Sequence, residues 1–129
     1  MKENYVTLFD SLFLPQGLAL YNSMQKYIYD YTLWVLCVDE NTYELLSKLD
    51  LPNIRLLSLS QIETDELKDV KKKRTKKEYC WTLTPFAPKF VFDTDESIER
   101  VTYLDADLWF RKNPQEIFNE FENSGKHVL

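Results

Sequence analysis

Residues 31–38, YTLWVLCV, decide the fold class predicted for this chain. An apolar run of this kind favours a strand that is covered on both faces, which is what parallel sheets require. The run ends at Asp39, and a helix-like pattern precedes it. Apolar residues recur there at helical spacing, at Leu14, Leu18, Tyr21, Met24 and Ile28. This order predicts a buried strand that follows a helix in an α/β architecture.

Further strands are predicted on either side of this unit. Residues 5–9 form a short β-branched and aromatic run that ends at Asp10. Downstream, residues 41–44 (NTYE) resemble a capping box that opens a helix through Leu49, and residues 53–59 (NIRLLSL) predict a third strand. Parallel strands joined by helices need right-handed crossovers. We therefore expect an open, mostly parallel α/β sheet with helices on both faces.

The second half of the chain continues the alternation. Residues 61–77 are polar and rich in lysine. They are interpreted as a solvated helix or loop, and a phosphate-binding or acidic-membrane role for the lysine cluster is the alternative. Residues 79–92 form an aromatic, partly helical segment that should pack on the sheet. Residues 93–97 predict a polar turn, residues 100–104 (RVTYL) a fourth strand, and residues 113–121 a capped final helix that starts with NPQE.

Length and composition indicate one globular domain over residues 1–129. The chain is 44% hydrophobic and has only two glycines, which separates it from disordered and fibrous proteins. Residues 125–129 resemble a turn followed by the start of another strand, so we expect the C-terminal part of the domain to lie beyond Leu129. His127, the only histidine, is interpreted as structural, and the start of a truncated metal motif is the alternative.

Charge and cysteine usage limit the partners and the compartment. The net charge of −5 argues against nucleic-acid partners, because nonspecific binding rests on neutralisation of phosphates by Lys and Arg. There is no apolar run of about 18 residues that predicts a transmembrane segment, and we expect a cytoplasmic protein. Cys37 and Cys80 lie in different predicted elements without metal-ligand spacing, which favours two separate reduced thiols.

Aspartates follow three of the predicted strands, at the edge where open α/β sheets bind ligands. They are Asp10, Asp39 and Asp105, and Asp107 comes two residues after the last of them. In an extended chain residues i and i+2 point the same way, so Asp105 and Asp107 can face one hard cation. Mg²⁺ and Mn²⁺ commonly take one or two carboxylates and leave other positions to water and phosphates. The pair therefore predicts a divalent cation that binds a diphosphate.

Sequence context distinguishes this Asp-x-Asp motif from a second one at residues 93–95. Asp105 lies between the apolar runs VTYL and LWF, whereas Asp93 lies in a polar segment. A charge among apolar groups is costly unless it is paired or bound to metal, which favours a role for Asp105. With glycine only at Gly17 and Gly125, the chain has no Gly-rich dinucleotide turn and no P-loop, so a cation is the expected phosphate-binding device.

Two segments resemble one enzyme family. Residues 101–110, VTYLDADLWF, resemble the strand and Asp-x-Asp motif of GT-A-fold glycosyltransferases, particularly glycosyltransferase family 8. Residues 5–24, YVTLFDSLFLPQGLALYNSM, are similar to the first strand, nucleotide-contacting loop and first helix of that family. The resemblance implies the N-terminal, donor-binding part of a nucleotide-diphospho-sugar transferase, whose missing half would supply the acceptor pocket and a further metal ligand.

The resemblance also implies roles for individual residues. Thr7, Leu8, Phe9 and Asp10 would line the uridine and ribose pocket, Asp105 and Asp107 would meet ribose and metal, and Lys89 would point at the donor. The implied cofactor is Mn²⁺ or Mg²⁺, the implied donor a UDP sugar, and the acceptor an unknown sugar or glycan. The cation would act as a Lewis acid on the departing diphosphate. No catalytic residue is assigned.

Two other functions remain open. HAD-type phosphohydrolases also carry Asp-x-Asp at a strand end, with the first aspartate as nucleophile. Their motif belongs on the first strand and is usually followed by Thr or Val at the position that Trp109 occupies here. A noncatalytic nucleotide-sugar-binding or scaffold domain is the other alternative, because the same fold supports many functions.

Overall fold

The computed structural model describes residues 2–125, which contain four strands and seven α-helices. The strands of this part are β1 (Glu3–Phe9), β2 (Tyr31–Cys37), β3 (Ile54–Ser58) and β4 (Val101–Tyr103). Its helices are α1 (Leu14–Tyr27), α2 (Glu40–Leu49), α3 (Leu59–Ile62), α4 (Asp65–Lys73), α5 (Lys76–Leu83), α6 (Ala87–Thr94) and α7 (Gln115–Ser124). The predicted strand at the C-terminus and the structural role of His127 lie outside the described residues.

The strands of the described part form one parallel sheet in the order β3-β2-β1-β4. Strand β1 pairs with β2 along its whole length, from Glu3 opposite Tyr31 to Phe9 opposite Cys37, and pairs on its other side with β4. The chain thus moves outward from β1 to β3 and then returns to the opposite side of β1. The order of the strands reverses between β1 and β4. The fold class predicted from the sequence is confirmed.

Both faces of the sheet are covered, as the apolar run predicts, and every residue of β2 is buried. Alternate residues of a strand point to opposite faces, so each strand supplies two cores. Helices α1, α2 and α7 cover one face, with a core that includes Tyr5, Phe9, Leu33, Val35, Leu20, Met24, Leu46 and Phe118. Helices α4, α5 and α6 cover the other, with Val6, Leu8, Trp34, Leu36, Leu67, Leu83, Phe90 and Val91.

Gly17 lets α1 approach the end of β1 closely. A Cβ atom built at this position would lie 2.4 Å from a ring carbon of Phe9, far inside van der Waals contact. The requirement is one of space, because Gly17 sits within a regular helix and packs against an aromatic ring. The Phe9 side chain is consequently fixed between the strand and the first helix.

The start of α2 differs from the sequence-based prediction. The capping box predicted at residues 41–44 is wrong, because the helix begins at Glu40 and its N-cap is Asp39. Asp39 leaves β2 with an extended backbone, and its carboxylate accepts a hydrogen bond from the backbone N–H of Thr42 at 2.8 Å. Since aspartate at this position satisfies a free N–H of the first turn, the helix starts earlier than the pattern indicates.

The polar segment at residues 61–77 is largely helical. It contains the end of α3, all of α4 and the beginning of α5, and α4 buries only Leu67. Thr64 caps α4, and Thr75 forms a capping box with Glu78 at the start of α5. The prediction of a solvated helix or loop is therefore confirmed, with the helix as the observed form, and a capping box lies at the start of α5.

The boundaries of the elements before and after the fourth strand also differ from the prediction. The polar turn predicted at residues 93–97 is wrong at its start, because Asp93 lies in the last turn of α6. Pro114, which has no side-chain hydrogen bond to offer, precedes α7, while the Asn113 side chain accepts from the N–H of Gln115 at 3.0 Å. Helix α7 runs past the predicted end and is followed by Gly125 in the left-handed conformation.

The predictions about the two cysteines and about membrane-spanning segments can be compared with the structure. Cys37 and Cys80 are free, as predicted, with Cys37 buried and Cys80 partly buried. Between residues 2 and 125, none of the helices has the length and apolar character needed to cross a membrane.

Candidate functional site at the carboxyl edge of the sheet

Aspartates stand at the carboxyl ends of β1, β2 and β4, as the sequence predicts. They are Asp10, Asp39 and Asp105. In open parallel sheets ligands bind outside the carboxyl ends of the strands, where the strand order reverses. Here that point lies between β1 and β4. The candidate site is therefore the edge between Asp10 and Asp105.

Asp10 is a buried carboxylate with an identified partner for each oxygen. Its Oδ1 accepts from the backbone N–H groups of Leu12 at 3.0 Å and Phe13 at 3.3 Å, and thereby caps the 3-10 turn at Ser11–Phe13. Its Oδ2 lies 3.0 Å from the Nζ of Lys76, the first residue of α5. Asp10 therefore joins the loop after β1 to a helix distant in sequence.

Asp39 is tied down on both oxygens as well. Oδ2 accepts from the Ser11 backbone N–H at 3.2 Å and the Ser11 hydroxyl at 3.1 Å, while Oδ1 accepts from the N–H and hydroxyl of Thr42. Burial alone would raise the pKa of Asp39, but the hydrogen bonds from Thr42 and Ser11 outweigh it and lower the pKa to about 2. Asp39 is an ionised link between the loop after β1 and α2.

Asp105 and Asp107 differ from these two aspartates because both are exposed. Leu104 still bonds to the sheet, its N–H donating to Val6 O at 2.9 Å, but the chain then turns. The N–H of Leu108 donates to Asp105 O at 3.1 Å and closes that turn. The extended backbone expected between the two carboxylates is therefore wrong, because a turn replaces it.

The apolar surroundings expected for Asp105 are also not observed. Leu108 is 47% exposed and Trp109 is 69% exposed, so neither side chain buries the motif. Tyr103 interacts with Asp105 instead, since burial and then the negative charge of Asp105 raise the pKa of its phenol. The two carboxylates consequently face solvent beside a phenol at the end of β4.

Helix α5 and the turn after it connect the two ends of this edge. Lys76 at the start of α5 pairs with Asp10. One turn later, burial and the charge of Asp10 raise the pKa of the Cys80 thiol. Cys80 also acts electrostatically on Tyr103, which lies beside Asp105. Cys80 on α5 therefore lies within electrostatic reach of both Asp10 and Tyr103.

The side chains at the end of β1 lie in the interior. Leu8 and Phe9 belong to the two cores on opposite faces of the sheet, and Thr7 is fully buried. The Thr7 hydroxyl has no hydrogen-bond partner within the part of the chain that the structure describes. The lining of a nucleoside pocket by Thr7, Leu8, Phe9 and Asp10 stays a prediction. Any such contact from Leu8 or Phe9 would compete with core packing.

The resemblance implies a donor contact for Lys89, whereas the structure shows a different lysine, Lys76, next to Asp10. Lys89 donates to the Asp93 carboxylate at 2.8 Å on the surface of α6, with both side chains more than half exposed. Lys76, which belongs to the lysine-rich run, lies at the carboxyl edge instead. No local sequence pattern signals this approach, because Asp10 and Lys76 meet only through the tertiary fold.

The donor chemistry of Asp105 and Asp107 fits a Mg²⁺ or Mn²⁺ that takes two carboxylates from the protein. Within residues 2–125, no three His, Cys, Asp or Glu side chains come together as a metal-binding group. A cation here would need oxygen ligands from a bound phosphate and water to complete its shell. Any metal held by this pair would have to arrive with its ligand.

Comparison with known proteins gives two bacterial relatives. The chain is 35% identical over 118 residues to the uncharacterized protein YfnF of Bacillus subtilis (strain 168), covering 92% of this chain and 39% of that protein. It is also 35% identical over 103 residues to the uncharacterized protein YfnD of the same strain, covering 80% of this chain and 33% of the relative. The chain thus spans well under half the length of these relatives. No family model matches it.

Proposed function

We propose that this chain binds the nucleoside diphosphate part of a sugar donor such as a UDP sugar. The protein to which it belongs would be a metal-dependent glycosyltransferase. The observation that carries the proposal is the position of Asp105 and Asp107. They follow β4 at the reversal of strand order, exposed, and next to a strand end that carries Asp10. The resemblance of VTYLDADLWF and of residues 5–24 to family 8 glycosyltransferases supports the same assignment.

The aspartates at the carboxyl edge of the sheet would have different roles in this function. Asp105 and Asp107 would hold Mn²⁺ or Mg²⁺, which when bound supplies positive charge to the diphosphate leaving group. Asp39 keeps the loop after β1 in place through Ser11, and Asp10 shapes the same loop by capping its 3-10 turn. A preorganised edge of this kind lowers the reorganisation needed when negative charge develops on a leaving group.

The test is calorimetric titration of the chain with UDP in the presence of Mn²⁺, comparing Asp107→Asn with the unsubstituted protein. The amide keeps the shape of the side chain but removes the charge that binds the cation. We expect a loss of at least about 100-fold in affinity, equivalent to roughly 2.8 kcal/mol. Thermal unfolding should be unchanged, because Asp107 is exposed.

The second Asp-x-Asp motif of the chain provides a matched control. Asp93→Asn removes a charge from an exposed aspartate of the same tripeptide pattern, and it should leave the affinity for UDP within about twofold. Unchanged UDP binding in Asp107→Asn would overturn the assignment of the metal site. A phosphorylated Asp105 trapped after incubation with a phosphate ester would instead favour a phosphohydrolase. UDP binding without hydrolysis of any UDP sugar by the protein would favour a noncatalytic binding domain.

A further inference from the structure

We propose that Lys76 is a phosphate-binding residue of the candidate site, and that Asp10 is the positioning residue that holds its ammonium group at the carboxyl edge of the sheet. This inference rests on the proposed function and assigns a residue within it. It concerns one lysine of the charged run at residues 61–77, for which the sequence favours a solvated face over a phosphate-binding role.

Lys76 has different surroundings from other lysines of the run. Lys71 lies 3.8 Å from the carboxylate of Glu63, and Lys77 lies over the ring of Trp81 at 5.4 Å. Lys76 alone among the lysines of this run forms an ion pair, within the described residues, with an aspartate at a strand end. Its Nζ is 3.0 Å from Asp10 Oδ2. The cation is therefore directed to the place where the sheet order reverses.

The backbone that carries Lys76 is fixed by local structure. Thr75 and Glu78 form a capping box that sets the start of α5. Tyr79 and Leu83 are buried in the core and anchor the same helix against the sheet. Because both ends of α5 are held, the Lys76 side chain begins from a defined position. Asp10, whose other oxygen caps a turn, then fixes where the ammonium group ends.

Lys76 retains the capacity to bind a ligand while it contacts Asp10. An ammonium group has three donors, and the structure assigns one of them to the Asp10 carboxylate. The Lys76 side chain is 58% exposed, so an anion can reach the remaining donors. A charge-assisted hydrogen bond from lysine to a phosphate oxygen is shorter and stronger than one between neutral groups.

The charge of the edge explains why a diphosphate would require this lysine. The edge carries four aspartates, Asp10, Asp39, Asp105 and Asp107, which repel an anionic ligand. A cation bound by Asp105 and Asp107 would offset only part of that charge. Lys76 interacts with two of these aspartates, since the hydrogen bond to Asp10 and then the charges of Asp10 and Asp39 raise the pKa of Lys76. Lys76 supplies positive charge at the carboxyl end of β1.

The experiment compares the binding of UDP and of uridine by Lys76→Gln in the full chain, with Mn²⁺ present. UDP affinity is measured by calorimetry and uridine affinity by NMR titration. We expect UDP to bind about 10-fold more weakly, because one charged contact to phosphate is lost, while uridine affinity changes less than about twofold. The affinity of the unsubstituted chain for UDP should also fall more steeply with salt than that of the variant.

Two variants serve as controls. Lys77→Gln removes the same charge from the adjacent residue and should bind UDP as the unsubstituted chain does. Lys76→Arg keeps the positive charge and should recover most of the affinity for UDP. Circular dichroism should show the same fold in all of them, since a half-exposed ion pair contributes little to stability.

Each result decides between the two proposals. If Asp107→Asn loses UDP while Lys76→Gln binds it normally, the role of Lys76 is refuted and the proposed function stands. Equal losses of UDP and uridine in Lys76→Gln would show a structural role and also refute the inference. If the unsubstituted chain does not bind UDP with Mn²⁺, the proposed function falls and the role of Lys76 falls with it.

Discussion

Aspartates that follow an apolar strand have opposite environments in two parts of this sheet. Asp39 is one case, and the pair Asp105 and Asp107 is the other. Each follows an apolar strand of the same parallel sheet. Asp39 accepts four hydrogen bonds from Ser11 and Thr42, whereas Asp105 and Asp107 are exposed at a turn. The difference lies in the segment after the strand, because a helix start provides N–H donors three residues later and the turn after β4 does not. An aspartate at a strand end therefore indicates either a helix cap or a ligand site, and the next few residues determine which.

The strongest test of this comparison is Asp39→Ala. The substitution removes the N-cap of α2 and leaves the Ser11 and Thr42 donors without their acceptor. We expect a decrease of about 3 kcal/mol in the free energy of unfolding, since a lost cap contributes roughly 1 kcal/mol and charged hydrogen bonds add more. Urea unfolding followed by circular dichroism measures it.

Asp107→Ala is the counterpart that should leave the free energy of unfolding within about 0.5 kcal/mol. If the two alanine variants were equally destabilised, the distinction between a capping and a ligand-binding aspartate would be wrong.

A second, smaller effect is the dependence of the free energy of unfolding on pH in the acid range. The pKa of Asp39 is about 2 in the folded protein, below the value of roughly 3.9 expected in an unfolded chain. A carboxyl group with a lowered folded pKa stabilises the protein above its unfolded pKa, and this contribution is lost as the pH falls through the folded pKa. The stability difference between the unsubstituted chain and Asp39→Asn should therefore shrink between about pH 4 and pH 2. Urea midpoints recorded across this interval would contradict the prediction if the difference stayed constant.

The smallest expected effect is a change in the alkylation rate of a cysteine. Cys80 reports on the carboxyl edge of the sheet, and Cys37 reports on the buried core. Cys37 is 2% exposed and burial raises its pKa to about 12, so iodoacetamide should spare it in the folded chain. Cys80 is partly exposed on α5, near Asp10 and Lys76. We expect UDP with Mn²⁺ to slow alkylation of Cys80 about threefold, because the ligand would lie beside this helix.

Mass spectrometry of the alkylated chain distinguishes the two cysteines. If the alkylation rate of Cys80 stayed the same with UDP bound, the nucleotide would lie away from α5. That result would contradict a ligand site at the carboxyl edge of the sheet near this helix.

The fold was more accessible to sequence reasoning than the site, for physical reasons visible in particular residues. The run at residues 31–38 required cover on both faces, and β2 is indeed buried throughout. Local patterns failed at Asp39 and Asp93, since helix ends depend on which single N–H finds an acceptor. The contact between Lys76 and Asp10 had no local signal, because it depends on how α5 crosses the sheet edge. The turn after Asp105 likewise depends on one backbone hydrogen bond to Leu108.

The fit of the Phe9 ring against Gly17 has a consequence for sequence variation. Because a single methyl group at position 17 would overlap the ring, the two positions are not free to change independently. A protein of this fold with alanine or serine at the helical position should carry a smaller residue at the strand position. Proteins that keep the aromatic residue should keep the glycine, so the two sites should co-vary across sequences that share this sheet.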